Sequence, residues 1–268
     1  MAAVDIGFAE GDDQQKVMEL AWAGDPVSAF GSIIAFNRTL KLETVQFFEL
    51  DHEDRSKRKF VEVVIAPKIE PAALTYLQQH KNLRVLELDV EQLNYQTDYR
   101  YLNGTLLAQD TDEILYEKME SKTEIPLDPT TEKELIEFGL RAIRSIKSNS
   151  IVLVRSYKGN LQLLGMGAGQ PNRLIATKLA IEKSKENLQK EIATENIQQP
   201  NYIQEQLAQA ILISDAFFPF EDNVELAAAE GVRKIVQPGG SIRDKHVIAT
   251  CNELKVAMLF TGSRHFKH

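Results

Sequence analysis

Short apolar runs separated by longer stretches of mixed polarity recur along the whole chain. In the first half, runs rich in β-branched residues predict strands at residues 32–36 and 60–66, and the second run stops at Pro67. Alternation of apolar and polar residues predicts a further strand, with one face exposed to solvent, at residues 83–90. Helices are predicted at residues 14–23 and 71–80, and a strand or hairpin at residues 99–109.

The second half shows the same alternation more clearly. A hairpin is predicted where strands at residues 151–157 and 161–164 flank the turn Lys158-Gly159-Asn160. The remaining predicted elements are strands at residues 210–213, 232–236 and 256–260, and helices at residues 131–147, 174–191, 224–230 and 242–254. Strands that alternate with helices predict an α/β sandwich whose sheet is mainly parallel.

A polar segment at residues 117–130 separates the two halves and carries Pro126 and Pro129. We interpret it as a linker, which predicts two domains, at residues 1–125 and 126–268. A length of 268 residues suits either one large domain or two smaller ones.

Composition narrows the possible classes of protein. The formal net charge of −8 argues against a nucleic-acid-coating protein, since such binding rests on clustered Lys and Arg. Cys251 is the only cysteine, which excludes an intramolecular disulfide and a cysteine metal cluster and is typical of a reducing cytoplasm. The start of the chain lacks the pattern of a signal peptide. No stretch approaches the ~20 apolar residues of a membrane span, so no membrane partner is expected.

Metal binding is not expected either. His52, His80 and His246 lack the spacing of metal ligands, and with one cysteine and five scattered histidines the chain offers few donors.

Glycine-rich and polar segments at predicted junctions are candidates for binding. Gly165, Gly167 and Gly169 precede a helix and Arg173, an arrangement that can bind an anion; the alternative is a turn that needs positive φ. Gly240 lies in a second such loop, where Ser241 and Asp244 also suit a capping box.

Amide, aromatic and basic side chains follow other predicted elements. Asn149 suits recognition of an amide or heterocycle edge, and a helix cap is the alternative. Phe217, Phe218, Pro219 and Phe220 follow a strand ending at Asp215, where ligands gather in open α/β sheets; core packing is the alternative. Asp222 and Asn223 can accept hydrogen bonds from a ligand, or cap the start of the next helix. Chain ends are usually frayed, but the tail, residues 264–268 (RHFKH), is rich in basic and aromatic side chains, so we expect it to belong to a site.

Together these segments resemble the AICAR transformylase domain, the C-terminal half of the bifunctional purine-biosynthesis enzyme that also carries IMP cyclohydrolase. The similar blocks occur in the family's order and span nearly the whole chain. They are residues 25–37 (DPVSAFGSIIAFN), 60–67, 147–152 (KSNSIV), 165–173 (GMGAGQPNR), 214–223 (SDAFFPFEDN), 238–244 and 261–268.

The resemblance implies a fold of two cytidine-deaminase-like α/β subdomains with mainly parallel, mixed sheets. It implies a cytoplasmic homodimer with active sites at the interface. The implied reaction transfers a formyl group from 10-formyltetrahydrofolate, as co-substrate, to the 5-amino group of AICAR, without a catalytic metal.

The resemblance also implies roles for individual residues. Asn149 matches a polar residue near the carboxamide and the transferring group, and His268 is the candidate for a compensating catalytic base. The residues that match positions in the nucleotide and folate pocket are Asp25, Arg173, Phe217, Pro219, Asp222, Gly240, Arg264 and Phe266.

One part of the family pattern is absent. The family uses a Lys-His pair, in a segment like KHxNPCG, near the start of the domain, and Met1-Ala2-Ala3-Val4 looks like the residues just after it. Three explanations compete. A separate chain supplies the segment, the chain is a homologue that binds a purine nucleotide or folate without turnover, or it is a truncated product. A nucleotide deaminase of the related fold is disfavoured, because the zinc ligands that it needs are missing.

Overall fold

The computed structural model describes residues 2–4, 7–88 and 96–267, and helices and strands alternate through these ranges. The helices are α1 (Gln14–Trp22), α2 (Leu42–Gln46), α3 (Pro71–Leu77), α4 (Lys133–Arg144), α5 (Arg173–Glu195), α6 (Tyr202–Gln209), α7 (Asp222–Ala229) and α8 (Asp244–Glu253). The strands are β1 (Ala2–Val4), β2 (Gly7–Glu10), β3 (Ser32–Phe36), β4 (Val61–Ala66), β5 (Arg84–Glu87), β6 (Thr97–Leu102), β7 (Thr105–Asp110), β8 (Glu120–Ser121), β9 (Ile151–Tyr157), β10 (Asn160–Gly167), β11 (Ile211–Ser214), β12 (Lys234–Gln237) and β13 (Ala257–Phe260).

One mixed sheet of eleven strands runs through the described part of the chain, in the order β5-β4-β3-β1-β2-β10-β9-β11-β12-β13-β8. The strands β3, β4 and β5 pair in parallel on one side, and β11, β12 and β13 on the other. Between them the pairs are antiparallel, and for β9 and β10 the short turn that joins them allows no other pairing. The predicted α/β class is confirmed, with parallel strands in both flanks and an antiparallel centre.

The first half of the sheet is covered by helices on one face. Ile34 and Val64 point into a core with α1, α2 and α3. Their neighbours Ile33 and Val63 are in register with each other and point to the opposite face, which carries none of these helices. The half-exposed Leu86 lies on that same open face, in register with Ile65.

The second half is covered on both faces. Alternate residues of β9 point to opposite sides, so that Val152 and Val154 pack with α4 while Ile151 and Leu153 pack with α5 to α8. This two-sided burial is expected for strands made of continuous apolar residues. No helix in the described ranges is long and apolar enough to cross a membrane.

The segment predicted to be a linker is packed along the sheet edge. Strand β8 pairs antiparallel with β13, and the Lys122 backbone N–H donates to the Met258 carbonyl over 2.8 Å. Leu127 is buried in the core beneath α4. The domain boundary at residue 125 stays a prediction.

Candidate functional site

A buried carboxylate at the end of β11 joins three separate segments of the chain. One oxygen of Asp215 accepts hydrogen bonds from the Arg173 guanidinium, over 3.2 Å from Nε and 3.0 Å from an Nη. The other accepts from the Ser150 backbone N–H over 3.0 Å, and the Asp215 carbonyl accepts from the His265 N–H over 2.8 Å. A buried charge is costly unless it is paired and hydrogen-bonded, and here both conditions are met.

Arg173 owes its position to the start of α5. The side chain of Asn172 caps the helix by accepting from the Ile175 N–H over 2.9 Å. The preceding turn has Gly169 at φ +64°, and its N–H donates to the Lys147 carbonyl over 2.7 Å. The turn therefore brings the helix start next to the segment that carries Asn149.

Asn149 is fixed against this same turn. Its Nδ2 donates to the Gln170 carbonyl over 2.9 Å, and the two residues also exchange backbone hydrogen bonds. The contact uses one of the two N–H donors of the amide, and the amide oxygen is an acceptor. The helix-cap interpretation of Asn149 is wrong, because α4 ends at Arg144, before this segment.

The tail is anchored as firmly as the rest of the site. The Lys267 N–H donates to Ser148 Oγ over 3.1 Å, and the Ser148 N–H donates to the Lys267 carbonyl over 2.8 Å. The His265 ring is buried, with Nδ1 2.7 Å from an Asp112 carboxylate oxygen and Nε2 3.1 Å from the Leu115 carbonyl. Both ring nitrogens are thus engaged, so His265 acts as an anchor.

Phe266 contacts two cations beside this anchor. The guanidinium carbon of Arg173 is 5.3 Å from the ring centroid, and that of Arg264 is 5.6 Å away. Both distances are in the range of attractive cation–π contacts. The predicted residues Arg173, Arg264 and Phe266 therefore form one cluster with Asp215.

A cleft of about 450 Å³ opens next to this cluster. Phe217, Gly240 and Arg264, three of the predicted pocket residues, line it together with Asp112 and Ser263. We call it the tail cleft. It has a concave shape, an aromatic wall and a cation, which are features of small-molecule sites.

The aromatic run is divided between core packing and the surface, and its role in binding stays a prediction. Phe218 is fully buried, and its backbone N–H donates to Gln237 Oε1 over 2.8 Å. Phe217 and Pro219 on either side are only partly buried. Phe220 is half exposed and lies under the Arg243 guanidinium at 5.1 Å.

The loop before α8 differs from the predicted capping box. The Asp244 carboxylate accepts from the backbone N–H groups of Gly240 and Ser241, over 2.8 and 3.2 Å, and the N-cap position is Arg243. The backbone donor of Gly240 is therefore already occupied. Asp222 is the first residue of α7 and accepts from the backbone and side chain of Asn223, both over 2.8 Å.

The predicted glycine loop is wrong in part, because Gly165 and Gly167 lie inside β10. A Cβ at Gly167 would come within 2.1 Å of the Ala176 carbonyl oxygen, and one at Gly165 within 2.5 Å of that of Ala180. Both glycines allow α5 to lie directly on the strand. Of the three glycines in this segment, Gly169 alone adopts the positive φ that the turn interpretation requires.

Asp25 lies apart from the cluster. Its carboxylate accepts from the N–H groups of Val27 and Ser28 and from the Ser28 hydroxyl, and lies 3.3 Å from Lys183 Nζ. Lys183 is ten residues beyond Arg173 on α5, or about 15 Å along the helix axis. Burial raises the pKa of Asp25, but the Ser28 and Lys183 contacts outweigh it and hold the pKa below its usual value.

The predicted base and the expectation about metals are the remaining site predictions. His268, the candidate base, lies outside the described residues. Within the described ranges, no group of three or more His, Cys, Asp and Glu side chains is arranged to hold a metal.

Burial raises the pKa of the Cys251 thiol to about 12, so Cys251 stays protonated at neutral pH and is a poor nucleophile.

Sequence reasoning did not include Asp215, Ser148 and His265 among the site residues. A signal for Asp215 was present, because an acidic residue directly after the apolar run ILIS lies at the carboxyl end of a parallel strand. No comparable signal existed for Ser148 and His265, since their partners lie more than one hundred residues away.

Comparison with known proteins identifies the family to which the chain belongs. A family model described as AICARFT/IMPCHase bienzyme matches residues 3–183. The chain is similar to the bifunctional purine biosynthesis proteins PurH of Petrotoga mobilis (38% identical over 98% of this chain and 45% of that protein) and Aquifex aeolicus (39%, over 98% and 46%). The chain belongs to the family of AICAR transformylase/IMP cyclohydrolase bienzymes. It spans about half the length of the curated relatives it matches.

Proposed function

We propose that the chain works in purine biosynthesis, by transferring the formyl group of 10-formyltetrahydrofolate to the amine of AICAR to give formyl-AICAR. The observation that carries this proposal is the Asp215 junction, which gathers Asn149, Arg173 and Phe266 beside the tail cleft. These residues lie far apart in the sequence. Family membership supplies the reaction class, and the single cysteine suits the proposed cytoplasmic location.

The proposed reaction has three chemical needs. The AICAR amine is a poor nucleophile, because its lone pair is delocalised into the ring and carboxamide, so it must be aligned, deprotonated and placed where an oxyanion can be stabilised. In the proposal, the Asn149 amide orients the carboxamide, and Phe217 and Pro219 contact the heterocycles. The guanidinium groups of Arg173 and Arg264 supply positive charge. None of these roles requires a metal.

The proton acceptor comes, in this proposal, from His268 or from a Lys-His segment on a separate chain. Asp222 and Gly240 are proposed to border the bound ligand through backbone and carboxylate contacts at the rim of the tail cleft. Gly240 lines this cleft and its N–H donates to the Asp244 carboxylate, while the Asp222 carboxylate accepts from the Asn223 N–H.

We also propose that the chain forms a homodimer, to which Asp25 contributes at the interface. Parallel sheets normally have both faces covered, yet among the described residues no helix covers the face of β4 and β5 that carries Val63 and the half-exposed Leu86. A second copy would cover this apolar face. It could also bring Asp25, which is remote from Arg173 in one chain, to a neighbouring site.

A binding or regulatory role without turnover is the second candidate. The observation that favours it is that the proposed binding groups are assembled, while His265 in the tail has both of its ring nitrogens engaged by Asp112 and the Leu115 carbonyl. In this case the chain would bind AICAR or a folate with no formyl transfer.

The deciding experiment mixes the purified chain with AICAR and 10-formyltetrahydrofolate and follows the formation of tetrahydrofolate. Turnover by the chain alone establishes the enzyme. Turnover only after addition of a partner bearing the Lys-His segment establishes a split enzyme. Without turnover, calorimetric binding of AICAR or folate that Phe217→Ala or His268→Ala weakens supports the binding module. Absence of both turnover and binding contradicts the two candidates together.

A further inference from the structure

A second cleft, of about 510 Å³, lies next to the tail. Its walls come from the β6–β7 hairpin, the end of α4 and the tail itself, and include Tyr99, Arg144, Phe266 and Lys267. We call it the hairpin cleft. Asp112 lines both this cleft and the tail cleft, so the two are adjacent.

The charges of the hairpin cleft do not cancel. Its acidic side chains are already engaged, because Asp98 lies 3.9 Å from Arg100 and Asp112 contacts the His265 ring. The two other cations have neutral partners: Arg144 donates to the Glu113 carbonyl over 3.4 Å, and Lys267 donates to the Ser145 carbonyl over 3.5 Å. Within the described residues, neither Arg144 nor Lys267 makes an ion pair.

Such uncompensated cations are notable in a chain with a formal net charge of −8. The lining carries three cations, Arg100, Arg144 and Lys267, against the two carboxylates of Asp98 and Asp112, and an excess of positive charge in a cleft attracts anionic ligands. Arg144 and Lys267 belong to different elements, yet both line the same cleft next to Phe266. A ligand whose flat ring lies in the tail cleft could reach them by extending past the tail.

We propose that the hairpin cleft binds the anionic end, carboxylate or phosphate, of the ligand whose ring occupies the tail cleft. The ring's identity rests on the proposed function, whereas the anion site itself rests on Arg144 and Lys267. Two sources fit the chemistry: the glutamate carboxylates of a folate and the phosphate of a nucleotide.

The test compares matched ligands that differ only in the anionic end. Calorimetry at low ionic strength measures folate against pteroate, which lacks the glutamate, and AICAR against its nucleoside, which lacks the phosphate. The proteins are the unchanged chain, Arg144→Gln and Lys267→Gln, with Lys81→Gln as a control for loss of one exposed charge outside the clefts. Thermal melting checks that all variants fold.

The anionic end should raise affinity several-fold in the unchanged chain and in Lys81→Gln. That advantage should shrink about threefold in each cleft variant, as expected for one partly exposed charge pair. It should also shrink with added salt. The pteroate and nucleoside affinities should stay unchanged.

The ligand pair whose affinity advantage shrinks in the cleft variants identifies the source of the anion. The folate pair indicates a carboxylate, and the nucleotide pair indicates a phosphate. An advantage that survives in both cleft variants, for both pairs, overturns the proposal. If none of the four ligands binds, glutarate and pyrophosphate are titrated alone. Binding that depends on Arg144 and Lys267 then supports the anion site while the proposed function fails, and no binding overturns both.

Discussion

Asp215 shows how much of this site depends on one residue. Its side chain is fully buried, and that of Arg173 is 11% exposed, so the ion pair between them is largely removed from water. The same residue binds the segment before β9 and the tail. A charged pair of this kind contributes more to geometry than to stability, because desolvation offsets much of the attraction.

Replacing Asp215 by Ala should lower the free energy of unfolding by about 3 kcal/mol or more, because Arg173 would keep a buried charge without its partner. Chemical denaturation measures the change. Asp98→Ala is the matched control, since the Asp98–Arg100 pair is about half exposed and should contribute under ~1 kcal/mol. Equal losses in the two variants would contradict the assignment of Asp215 as the junction.

Asp25 should make stability depend on pH. Because its pKa is lower in the folded chain than in the unfolded chain, the unfolded state binds more protons at acid pH, and stability rises with pH through this range. The unchanged chain should therefore lose stability relative to Asp25→Asn as the pH falls below the ordinary value of 3.8. Above it the difference should be constant. Denaturation curves across this pH range measure the difference in stability between the two proteins. A difference that does not change with pH would contradict the expectation.

At the scale of elements, the packing of α5 on β10 determines where the site lies. The sequence predicted this helix and this strand, but placed Gly165 and Gly167 in the loop between them. Periodicity could not place them, since a glycine that interrupts an apolar run has no side chain to show which face it occupies. The reason for these glycines is tertiary, because the backbone of α5 lies where a Cβ would be.

Gly167→Ala should therefore destabilise the fold by about 1–3 kcal/mol through overpacking against the Ala176 carbonyl. Gly159→Ala is the control, with φ at +77° and no neighbouring atom within 4 Å, so that its cost is backbone strain of ~1 kcal/mol. Thermal and chemical unfolding compare the two. In addition, only Gly167→Ala should weaken ligand binding, because it displaces the helix start that carries Arg173.

Elements with little apolar patterning were not predicted. Helix α6 buries only Tyr202 and Leu207 among eight residues, and β8 is two residues long. Strand β2 was also missed, since its four residues form a strand only by pairing with β1 and β10.

At the scale of the whole molecule, the two halves differ in how their sheet is covered. In the part of the chain that the structure describes, the second half has helices on both faces, and the first half has them on one. An open apolar face on parallel strands is the feature that supports the proposed homodimer.

Leu86→Arg should convert a dimer into a monomer, because it places a charge on the open face, at the edge strand β5. Size-exclusion chromatography with light scattering measures the mass. Ile125→Arg is the matched control, since Ile125 is 46% exposed against 48% for Leu86 but lies in the segment beside β8. A monomeric unchanged chain, or equal effects of both variants, would contradict a dimer through this face.

The sequence by itself determined the α/β class, most strands and helices, and the resemblance that selects the family, because these depend on local periodicity and on contiguous motifs. Only the tertiary structure decided which predicted residues meet. It brings Asn149, Arg173 and Phe266 together around Asp215 and places Asp25 away from them. It also shows that Gly165 and Gly167, predicted in a loop, lie in β10 and allow α5 to pack on the strand. Contacts between residues distant in the sequence depend on how elements pack, and packing leaves no periodic pattern in the chain.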